Sequence, residues 1–379
     1  MQKMIRVGIM GAGMMGRTHL EALRRIPGVE VVALADPNAA LAQKTCEELF
    51  IPRFYADCGE LLAREALDAV HVCTPNFAHF EVCKAAIEAG VNVYCEKPLA
   101  NTYAEAQSLC RLAQEHHVAA AVNFNYCHNA IIQEMRERVA APDWGRTFLV
   151  YGHYLQDWMM YEDDYNWRCV PALGGSSRTV ADIGSHWFDT VQFILNKRIA
   201  RVYARLTTVL PTRKKYAQQA ATFCRQSGGS YEVVPIISED AGFILVEFED
   251  GTLGNLTLSQ VSGGHKNDFE IHIDGARYAM GWQQEAPDHL LLGVRERGTT
   301  LVYADPAMLH GRARRYATLP GGHVVGWNDA LKNAIAQFYD YLRSGGEPQF
   351  ASFARGAAIV KLVDACLESN AADHWIDVL

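Results

Sequence analysis

The sequence predicts an α/β protein whose first part is a doubly wound parallel sheet. Strand-like and helix-like segments alternate through the first third of the chain, which is typical of such a sheet. A glycine-rich turn stands between the first strand and the first helix. The chain also has 379 residues, which is more than one hydrophobic core usually supports, so we expect a second domain.

The first strand and helix enclose a glycine motif. The apolar run 5–10 is followed by Gly11, Gly13 and Gly16 in the spacing GxGxxG, and a helix-like segment comes next. In this setting the first glycine permits a tight turn, the second lets the backbone approach a pyrophosphate, and the third lets the helix pack on the strand. The helix N-terminus then offers free N–H groups to phosphates. The alternative is a glycine turn that binds no ligand.

Asp36 ends the second strand, 36 − 16 = 20 residues after the last glycine. A carboxylate at this distance accepts hydrogen bonds from the adenosine ribose hydroxyls and repels a 2′-phosphate. The following residues, PNAA, contain no arginine to hold such a phosphate. We therefore predict NAD(H) rather than NADP(H). A solvated turn aspartate before Pro37 is the alternative.

Polar residues follow several other predicted strands. Residues 74–76 (Thr-Pro-Asn), 96–97 (Glu-Lys) and 123–126 each come directly after an apolar run, as Asp36 does. Ligands of doubly wound sheets bind beyond the carboxyl ends of the strands. These positions are therefore predicted to form one ligand-binding edge.

Composition and charge argue against several classes of protein. Hydrophobic residues make up 49%, charged residues 21%, and the formal net charge is −8, which is ordinary for a globular protein and disfavours nucleic acid as a partner. The N-terminus lacks the features of a signal peptide, and no apolar run is long enough for a bilayer. The ten cysteines show no CxxC spacing and are predicted to be reduced thiols. We expect a cytoplasmic protein that binds no membrane.

From about Arg146 the pattern changes to strands and hairpins. The runs 201–210, 241–261 and 268–282 indicate strand pairs, with EDGT and DGAR as turns. Residues 212–238 are predicted to be a loop or an edge excursion. The segment 159–177 is predicted to be a long functional loop. Aromatic residues in and beside it fit either a sugar-stacking wall or ordinary packing: Trp158, Tyr161, Tyr165 and Trp167.

Asp182 and His186 stand four residues apart in the segment GGSSRTVADIGSHWFDT. On a helix they share one face. Three interpretations are open: a catalytic pair, half of a metal site, or a capping aspartate with a buried histidine. A zinc site needs a third ligand, and the sequence shows none, so we predict no metal.

Several motifs together resemble the glucose–fructose oxidoreductase and inositol dehydrogenase family (Gfo/Idh/MocA). These are GAGMMGRTH, VCTPNFAH, CEKPLA, YNWR and DIGSHWFD, and the similarity covers nearly the whole chain. The resemblance implies an NAD-binding Rossmann domain at residues 1–125. It also implies a substrate-binding and oligomerisation domain at 126–379, with an open, mainly antiparallel sheet whose outer face forms a homodimer or homotetramer.

The resemblance also implies roles for individual residues. The catalytic set is Lys97, Asp182 and His186. The cofactor-binding residues are Gly11, Ala12, Gly13, Met14, Met15, Gly16, Asp36, Thr74, Pro75, Asn76, His79, Glu96, Lys97, Asn125, Trp167 and Arg168. The substrate-binding residues are Lys97, Tyr126, Trp158, Arg168, Asp182 and His186. The peptide before Pro98 is often cis in relatives. Cys127 and His265 stand where relatives often carry arginine, which bears on the identity of the substrate.

The function predicted from these residues is NAD-dependent oxidation or reduction at a secondary hydroxyl. The substrate implied by the resemblance is a sugar, a cyclitol or a sugar derivative. A neutral histidine is suited to move the hydroxyl proton, and Lys97 is suited to stabilise developing alkoxide charge. Two alternatives are a glycoside-cleaving enzyme that oxidises the sugar transiently and a non-catalytic NAD- and sugar-binding regulator.

Overall fold

A computed structural model describes residues 4–217 and 228–379 of the chain. The chain divides into two compact units. The first contains the residues up to Asn125 together with Leu331–Val360, and the second contains Tyr126–Ala330 together with Lys361–Leu379.

The first unit is built on a parallel sheet with helices between its strands. Its elements up to Asn125 are β1 (Ile5–Met10), α1 (Met14–Arg24), β2 (Val29–Ala35), α2 (Ala39–Glu48), β3 (Arg53–Tyr55), α3 (Cys58–Arg64), β4 (Ala69–Val72), α4 (Asn76–Glu88), β5 (Asn92–Cys95), α5 (Tyr103–Glu115) and β6 (Ala120–Val122). Within the described ranges the sheet has six strands in the order β3-β2-β1-β4-β5-β6. This order reverses direction between β1 and β4, where doubly wound sheets bind ligands. The predicted parallel sheet is confirmed.

The second unit is built on a larger, mostly antiparallel sheet. Its elements are α6 (Ala130–Ala140), β7 (Thr147–Leu155), α7 (Pro171–Gly174), α8 (Ser185–Leu195), β8 (Ile199–Thr207), β9 (Thr212–Tyr216), β10 (Tyr231–Pro235), β11 (Ala241–Phe248), β12 (Leu253–Ser259), β13 (Asp268–Gly275), β14 (Ala279–Gln283), β15 (His289–Val294) and β16 (Gly298–Tyr303). The chain ends with α9 (Trp327–Ser344), α10 (Phe353–Ala372) and β17 (Ile376–Asp377).

Nine strands of the described ranges form this sheet, in the order β16-β15-β14-β13-β7-β12-β11-β8-β17. Its one parallel pair there joins β7 to β12. The fold class predicted for the second domain is therefore confirmed as a mixed, mainly antiparallel sheet. None of the described helices combines the length and the apolar character needed to cross a bilayer.

Residues 212–238 were predicted to be a loop or an edge excursion, and part of this prediction is wrong. β9 and β10 pair antiparallel, and the fully buried Arg213 lies in β9. Arg213 donates to Asp240, a contact distant in sequence that local composition does not reveal. Residues 218–227 of this predicted loop lie outside the described residues.

The segment Leu331–Val360, which the sequence analysis assigned to the second domain, belongs to the unit with the parallel sheet. The backbone N–H of Val122, at the end of β6, donates to the carbonyl of Ala351 at 2.8 Å. Gly356 also packs closely on Val122, since a Cβ there would lie 2.6 Å from its side chain. The predicted role of the second unit in substrate binding and oligomerisation stays a prediction.

Candidate active site

The glycine motif forms a tight turn between β1 and α1. Gly11 has a φ of +111°, a backbone conformation that side chains rarely adopt. A Cβ on Gly16 would lie 1.9 Å from the carbonyl oxygen of Gly11, so the helix meets the strand through this glycine. A Cβ on Gly13, in contrast, would meet nothing within 4 Å. The turn therefore leaves open space at the middle glycine, where a pyrophosphate would approach.

Asp36 holds the same turn from the end of β2. Its Oδ2 atom accepts from the backbone N–H of Ala12 at 2.9 Å, and its Oδ1 atom accepts from the N–H of Asn38 at 2.9 Å. The side chain is half-buried. A carboxylate oxygen accepts more than one hydrogen bond, so both oxygens keep capacity for ribose hydroxyls. Met14 and Met15 begin α1 directly after the turn.

Two predicted cofactor-binding residues carry buried polar atoms without a hydrogen-bond partner among the described residues. These atoms are Thr74 Oγ1, after β4, and Asn125 Nδ2, after β6. Buried polar groups in proteins are nearly always hydrogen-bonded. Pro75 and Asn76 form the start of α4 beside them. The unsatisfied atoms and the open space at Gly13 fit a bound dinucleotide.

His79 joins two loops of the first unit. Its Nδ1 atom lies 2.7 Å from the carbonyl oxygen of Pro98, and its Nε2 atom lies 2.9 Å from the carbonyl oxygen of Thr74. Burial lowers the pKa of His79, although both carbonyls and Glu96 favour its charged form. Because both ring nitrogens face backbone carbonyls, His79 positions the Thr74 loop. Its direct contact with the cofactor stays a prediction.

Glu96 is a buried carboxylate directly before Lys97. Its Oε1 atom lies 2.9 Å from His19 Nε2 and 2.5 Å from Asn123 Nδ2, and its Oε2 atom accepts from the backbone N–H of Lys97 at 3.2 Å. Burial alone would raise the pKa of Glu96, but the hydrogen bonds from His19 and Asn123 and the charges of His19 and Lys97 together hold this pKa below its usual range. The Lys97–Pro98 peptide is cis.

A chain of buried side chains leads away from Glu96. His19 Nδ1 lies 2.7 Å from His71 Nδ1, and His71 Nε2 lies 2.8 Å from the hydroxyl of Tyr339. Burial, followed by the charge of His19, holds the pKa of His71 well below its usual range. Burial also raises the pKa of Tyr339 well above its usual range. His71 is therefore neutral and Tyr339 keeps its proton.

These protonation states leave the chain two consistent arrangements. Because ionised Glu96 only accepts, His19 donates to it through Nε2. If His19 is neutral, His71 donates to it through Nδ1 and Tyr339 donates to His71. If His19 is cationic, it donates to His71 Nδ1, and His71 donates through Nε2 to Tyr339. Either way the carboxylate beside Lys97 is fixed in place.

In the second unit, Asp182 and His186 lie at the start of a long helix. The sequence analysis placed both on an ordinary α-helix, but residues Val180–Gly184 form a π-helical turn that continues into α8. The N–H of Ser185 bonds to the carbonyl of Val180, five residues back. Such turns are rare and often stand at functional sites.

The start of this turn is held by Glu239, a buried residue between β10 and β11. Its Oε1 atom accepts from the backbone N–H of Arg178 at 3.1 Å and of Val180 at 2.9 Å. It also accepts from the hydroxyl of Ser177 at 2.6 Å. A side chain distant in sequence thus satisfies the first N–H groups of the helix, which otherwise lack partners.

Beside Glu239, a fully buried ion cluster fixes the start of the turn. Asp240 Oδ1 accepts from the guanidinium groups of both Arg178 and Arg213, the latter at 2.8 Å. Burial lowers the pKa of Arg213, and the neighbouring charge of Arg178 adds to this, while Asp240 opposes it. Asp182 follows this cluster, and its Oδ2 atom accepts from Gln260 Nε2 at 2.7 Å.

His186 lies among phenol rings. Its ring meets Tyr126 edge-on at a centroid distance of 4.8 Å and lies 6.4 Å from the ring of Tyr154. The two phenol oxygens are 2.9 Å apart, and Tyr154 donates to Asn267 Oδ1 at 2.6 Å. Burial raises the pKa of both phenols, and the charge of Asp182 adds to this. Tyr126 and Tyr154 therefore remain hydroxyl groups near the histidine.

The aromatic loop after β7 carries Arg168. The guanidinium carbon of Arg168 lies 4.4 Å from the ring centroid of Trp167 and 5.5 Å from that of Trp158. Its Nη1 atom is buried without a hydrogen-bond partner in the described part of the chain. Trp158 donates to Gln156 Oε1 at 2.8 Å. The loop therefore presents a stacked cation with an unused donor.

Cys127 and His265, which stand where relatives often carry arginine, have different surroundings. The buried thiol of Cys127 donates to Asp189 Oδ2 of α8 at 3.0 Å. His265 Nδ1 lies 2.6 Å from Asp268 Oδ2, and the histidine is half-buried. Neither observation tests the substrate specificity, which stays a prediction.

Several residues of these arrangements were missed by sequence reasoning. They are His19, His71, Tyr154, Arg178, Glu239, Asp240, Gln260, Asn267 and Tyr339. Two signals were present: His71 is a titratable residue within the apolar run AVHV of β4, and His19 ends the motif GAGMMGRTH. The others become recognisable only through contacts between segments that are distant in the chain.

Comparison with known proteins identifies the family. Residues 5–124 match the model of the Gfo/Idh/MocA oxidoreductase family, NAD-binding Rossmann fold, and residues 132–279 match a C-terminal domain model of the same family. Levoglucosan dehydrogenase of Pseudarthrobacter phenanthrenivorans is 26% identical, over 99% of this chain and 98% of that protein. The 1,5-anhydro-D-fructose reductase of Ensifer adhaerens is 26% identical, over 94% and 96%.

Solved structures agree with this result. A levoglucosan dehydrogenase in complex with NADH and L-sorbose has a TM-score of 0.90 and 25% identity, covering 99% of each chain. The predicted family, its α/β fold and an oxidoreductase with NAD as cofactor are confirmed. The chain belongs to the Gfo/Idh/MocA family of oxidoreductases, and its first unit is the NAD-binding Rossmann fold of that family.

Proposed function

We propose that this protein is an NAD-dependent dehydrogenase acting on a secondary hydroxyl of a sugar, a cyclitol or a sugar derivative. The observation that carries the proposal is the environment of His186, a buried imidazole beside two phenol hydroxyls on which the charge of Asp182 acts. Aromatic rings with hydroxyl groups suit a polyhydroxylated ligand, since they offer both apolar faces and hydrogen bonds. The named relatives, which act on sugars, support the same substrate class.

In the proposed mechanism His186 is the acid–base group. It accepts the proton of the substrate hydroxyl during oxidation and returns it during reduction, as a histidine can do near neutral pH. NAD, held by the glycine turn, Asp36 and Thr74, would supply the hydride acceptor for oxidation and, in its reduced form, the hydride donor for reduction. Asp182, which Gln260 orients, hydrogen-bonds the substrate and stabilises positive charge on His186.

Lys97 is proposed to donate a hydrogen bond to the reacting oxygen of the substrate. A cationic donor there stabilises negative charge that develops on the oxygen. Glu96, held by His19 and Asn123, accepts from the Lys97 backbone and positions this residue. Thr74, Asn125 and the glycine turn are proposed to hold the cofactor through their unsatisfied donors and open space.

The test is NADH formation by the full chain with NAD and a panel of sugars and polyols. At least one substrate should give turnover, and His186→Ala should lower kcat by about 10²- to 10⁴-fold, the usual contribution of general acid–base catalysis. Affinity for NAD, measured by fluorescence or calorimetry, should be unchanged. Lys97→Ala and Asp182→Asn should also lower kcat.

The matched control is His289→Ala, which removes a histidine from β15 and should leave turnover intact. Wild-type turnover in His186→Ala would refute the assignment of the acid–base group. Cleavage of glycosides without net NADH would favour the glycoside-cleaving alternative, and NAD binding without any turnover would favour a regulator. A cytoplasmic location and a homodimer or homotetramer formed through the large sheet stay proposals.

A further inference from the structure

Three side chains with metal-binding atoms meet on the large sheet of the second unit. His153 lies on β7, and Asp268 and Glu270 lie on β13. In the antiparallel register His153 stands opposite Glu270, and Asp268 is the diagonal neighbour. One ligand atom of each residue lies within 4.8 Å of the others. The group is therefore a product of strand pairing between distant segments.

These side chains are on the face of the sheet opposite to Tyr154 and Phe269. Successive side chains of a strand point to opposite faces. Tyr154 and Phe269 are buried and stack on each other at a centroid distance of 4.8 Å, next to Tyr126. The alternating positions His153 and Glu270 are consequently on the other face, where their side chains are 27% and 26% exposed. In the single chain an ion from solvent can reach them.

The two distances from His153 match the edges of a tetrahedral metal site. His153 Nε2 lies 3.1 Å from Asp268 Oδ2 and 3.4 Å from Glu270 Oε2. Zinc bound to nitrogen and oxygen at about 2.0–2.2 Å in a tetrahedron separates its ligand atoms by roughly 3.3–3.5 Å. These two separations need only tenths of an ångström of adjustment, and all three ligand atoms lie within 4.8 Å of one another.

His153 Nε2 also lacks a well-aligned hydrogen bond within the described part of the protein. The atom is buried, and it forms no aligned hydrogen bond in the described ranges despite the two nearby carboxylates. A nitrogen that faces the space between two carboxylate oxygens is the arrangement expected of a ligand set. Two carboxylates and a neutral imidazole carry a charge of −2, which a divalent cation neutralises.

Further side chains hold the two carboxylates. Gln283 donates to Asp268 Oδ1 at 2.9 Å, and His265 lies 2.6 Å from Asp268 Oδ2. His272 hydrogen-bonds Glu270 Oε1, which leaves Oε2 facing His153. Ligands of bound metals are usually oriented in this way by hydrogen bonds from a surrounding set of side chains. The departure at His265 thus becomes part of this arrangement.

We propose that His153, Asp268 and Glu270 bind one divalent transition-metal ion of the zinc type. Imidazole with carboxylates suits zinc and its first-row neighbours, whereas magnesium prefers six oxygen ligands. Three protein ligands leave a fourth position for water or another ligand. The ion clamps β7 to β13 and stabilises the folded second unit, because it binds only where the strands pair. No metal was predicted from the sequence, because no third ligand for Asp182 and His186 is apparent there and His153 is far along the chain from Asp268 and Glu270.

The experiment uses the full chain after treatment with a chelator. Zinc is titrated by calorimetry and cobalt by visible absorption, and both should show one site per chain, with the intense spectrum of four-coordinate cobalt. Loss of a group that merely orients a metal ligand costs 10- to 100-fold in affinity, so His153→Ala should cost at least about 100-fold. Zinc should also raise the Tm of the wild type but not of the variant.

The matched control is His289→Ala. His289 has a side chain 28% exposed, lies on β15 of the same sheet and pairs with one carboxylate, Asp288, at 2.9 Å. This variant should bind zinc like the wild type. If His153→Ala fails to fold, Glu270→Gln decides, because it removes a ligand charge and keeps the shape. Equal zinc affinity in the wild type and the folded ligand variant, or no binding to the wild type, would overturn the proposal.

Discussion

Two groups of histidines and carboxylates in this protein are built from the same residue types and differ in burial. In the first unit, Glu96, His19 and His71 are buried and connect in a line to Tyr339. In the second unit, His153 and Glu270 are about one quarter exposed, and two carboxylates converge on one nitrogen. Each nitrogen and oxygen of the line has a hydrogen-bond partner in the protein, whereas His153 Nε2 of the convergent group has no aligned hydrogen bond among the described residues.

The comparison shows what burial does to such groups. Inside the first unit the charge on Glu96 is maintained by hydrogen bonds, and desolvation keeps His71 neutral. If any side chain of the line is removed, its hydrogen-bond partner stays buried in a low-dielectric interior, where no water replaces the lost hydrogen bond. On the sheet, water can hydrogen-bond to the group whose partner has been removed. Removal of one side chain there should therefore lower the free energy of unfolding much less. Three measurements can break or sharpen this contrast.

The largest effect is expected from removal of the carboxylate in each group. Glu96→Ala leaves donors of His19 and Asn123 unsatisfied, and at about 1–3 kcal/mol for each buried group the loss in free energy of unfolding is roughly 2–6 kcal/mol. Glu270→Ala in metal-free protein should cost less than about 1 kcal/mol, as expected for partly exposed ion pairs. Denaturant unfolding followed by circular dichroism measures both values. Equal losses would refute the role assigned to burial.

The second largest effect is expected in the pH dependence of the free energy of unfolding. Because the pKa of His71 is depressed in the folded state, the unfolded chain binds the extra proton below about pH 6.5. The stability contributed by neutral His71 is thus fully present above that pH and is lost as the pH falls, by about 1.4 kcal/mol per pH unit. His71→Leu should flatten the dependence of unfolding free energy on pH between about 6.5 and 5 by this amount. His79, whose pKa burial also lowers, contributes a remaining slope.

Unfolding titrations at several pH values, with the wild type and His71→Leu side by side, provide the measurement. An unchanged slope would mean that the histidine is charged in the folded protein, which would contradict the neutral state derived from its burial.

The smallest effect is expected at the end of the buried line. Tyr339→Phe removes the partner of His71 Nε2 and should cost about 1 kcal/mol, typical of one hydrogen bond. The control is Tyr203→Phe, which removes an exposed hydroxyl bonded to Asp373 at 2.7 Å and should cost less. A double-mutant cycle with His71→Leu should show that the two losses are not additive. Additive losses would indicate that the two residues do not act as one chain.

The features that were predictable from the sequence are local ones. Gly11, Gly13 and Gly16 specify their turn within six residues. In the first domain, each strand and each helix is indicated by the spacing of apolar residues within that element itself. NAD followed from one carboxylate at a set distance from that turn. The roles of Lys97, Asp182 and His186 came from motif resemblance and remain proposals.

The remaining features depend on contacts between distant segments. The start of the π-helical turn at Asp182 is held by Glu239, which belongs to a segment distant in the chain. The group at His153 requires the register of β7 against β13. A single-residue shift in that register would turn every side chain to the other face, and no local pattern specifies it. Sequence reasoning therefore found residues at loop ends and missed residues whose partners lie in distant segments of the chain.

The line from Glu96 to Tyr339 also works as an internal indicator. His71 stays neutral in both arrangements of the line, but its single proton sits on Nδ1 when His19 is neutral and on Nε2 when His19 is cationic. The two tautomers have distinct nitrogen chemical shifts. One isotope-labelled imidazole thus reads the charge of its neighbour without titrating itself, and NMR can follow the electrostatics behind Lys97 as cofactor and substrate arrive.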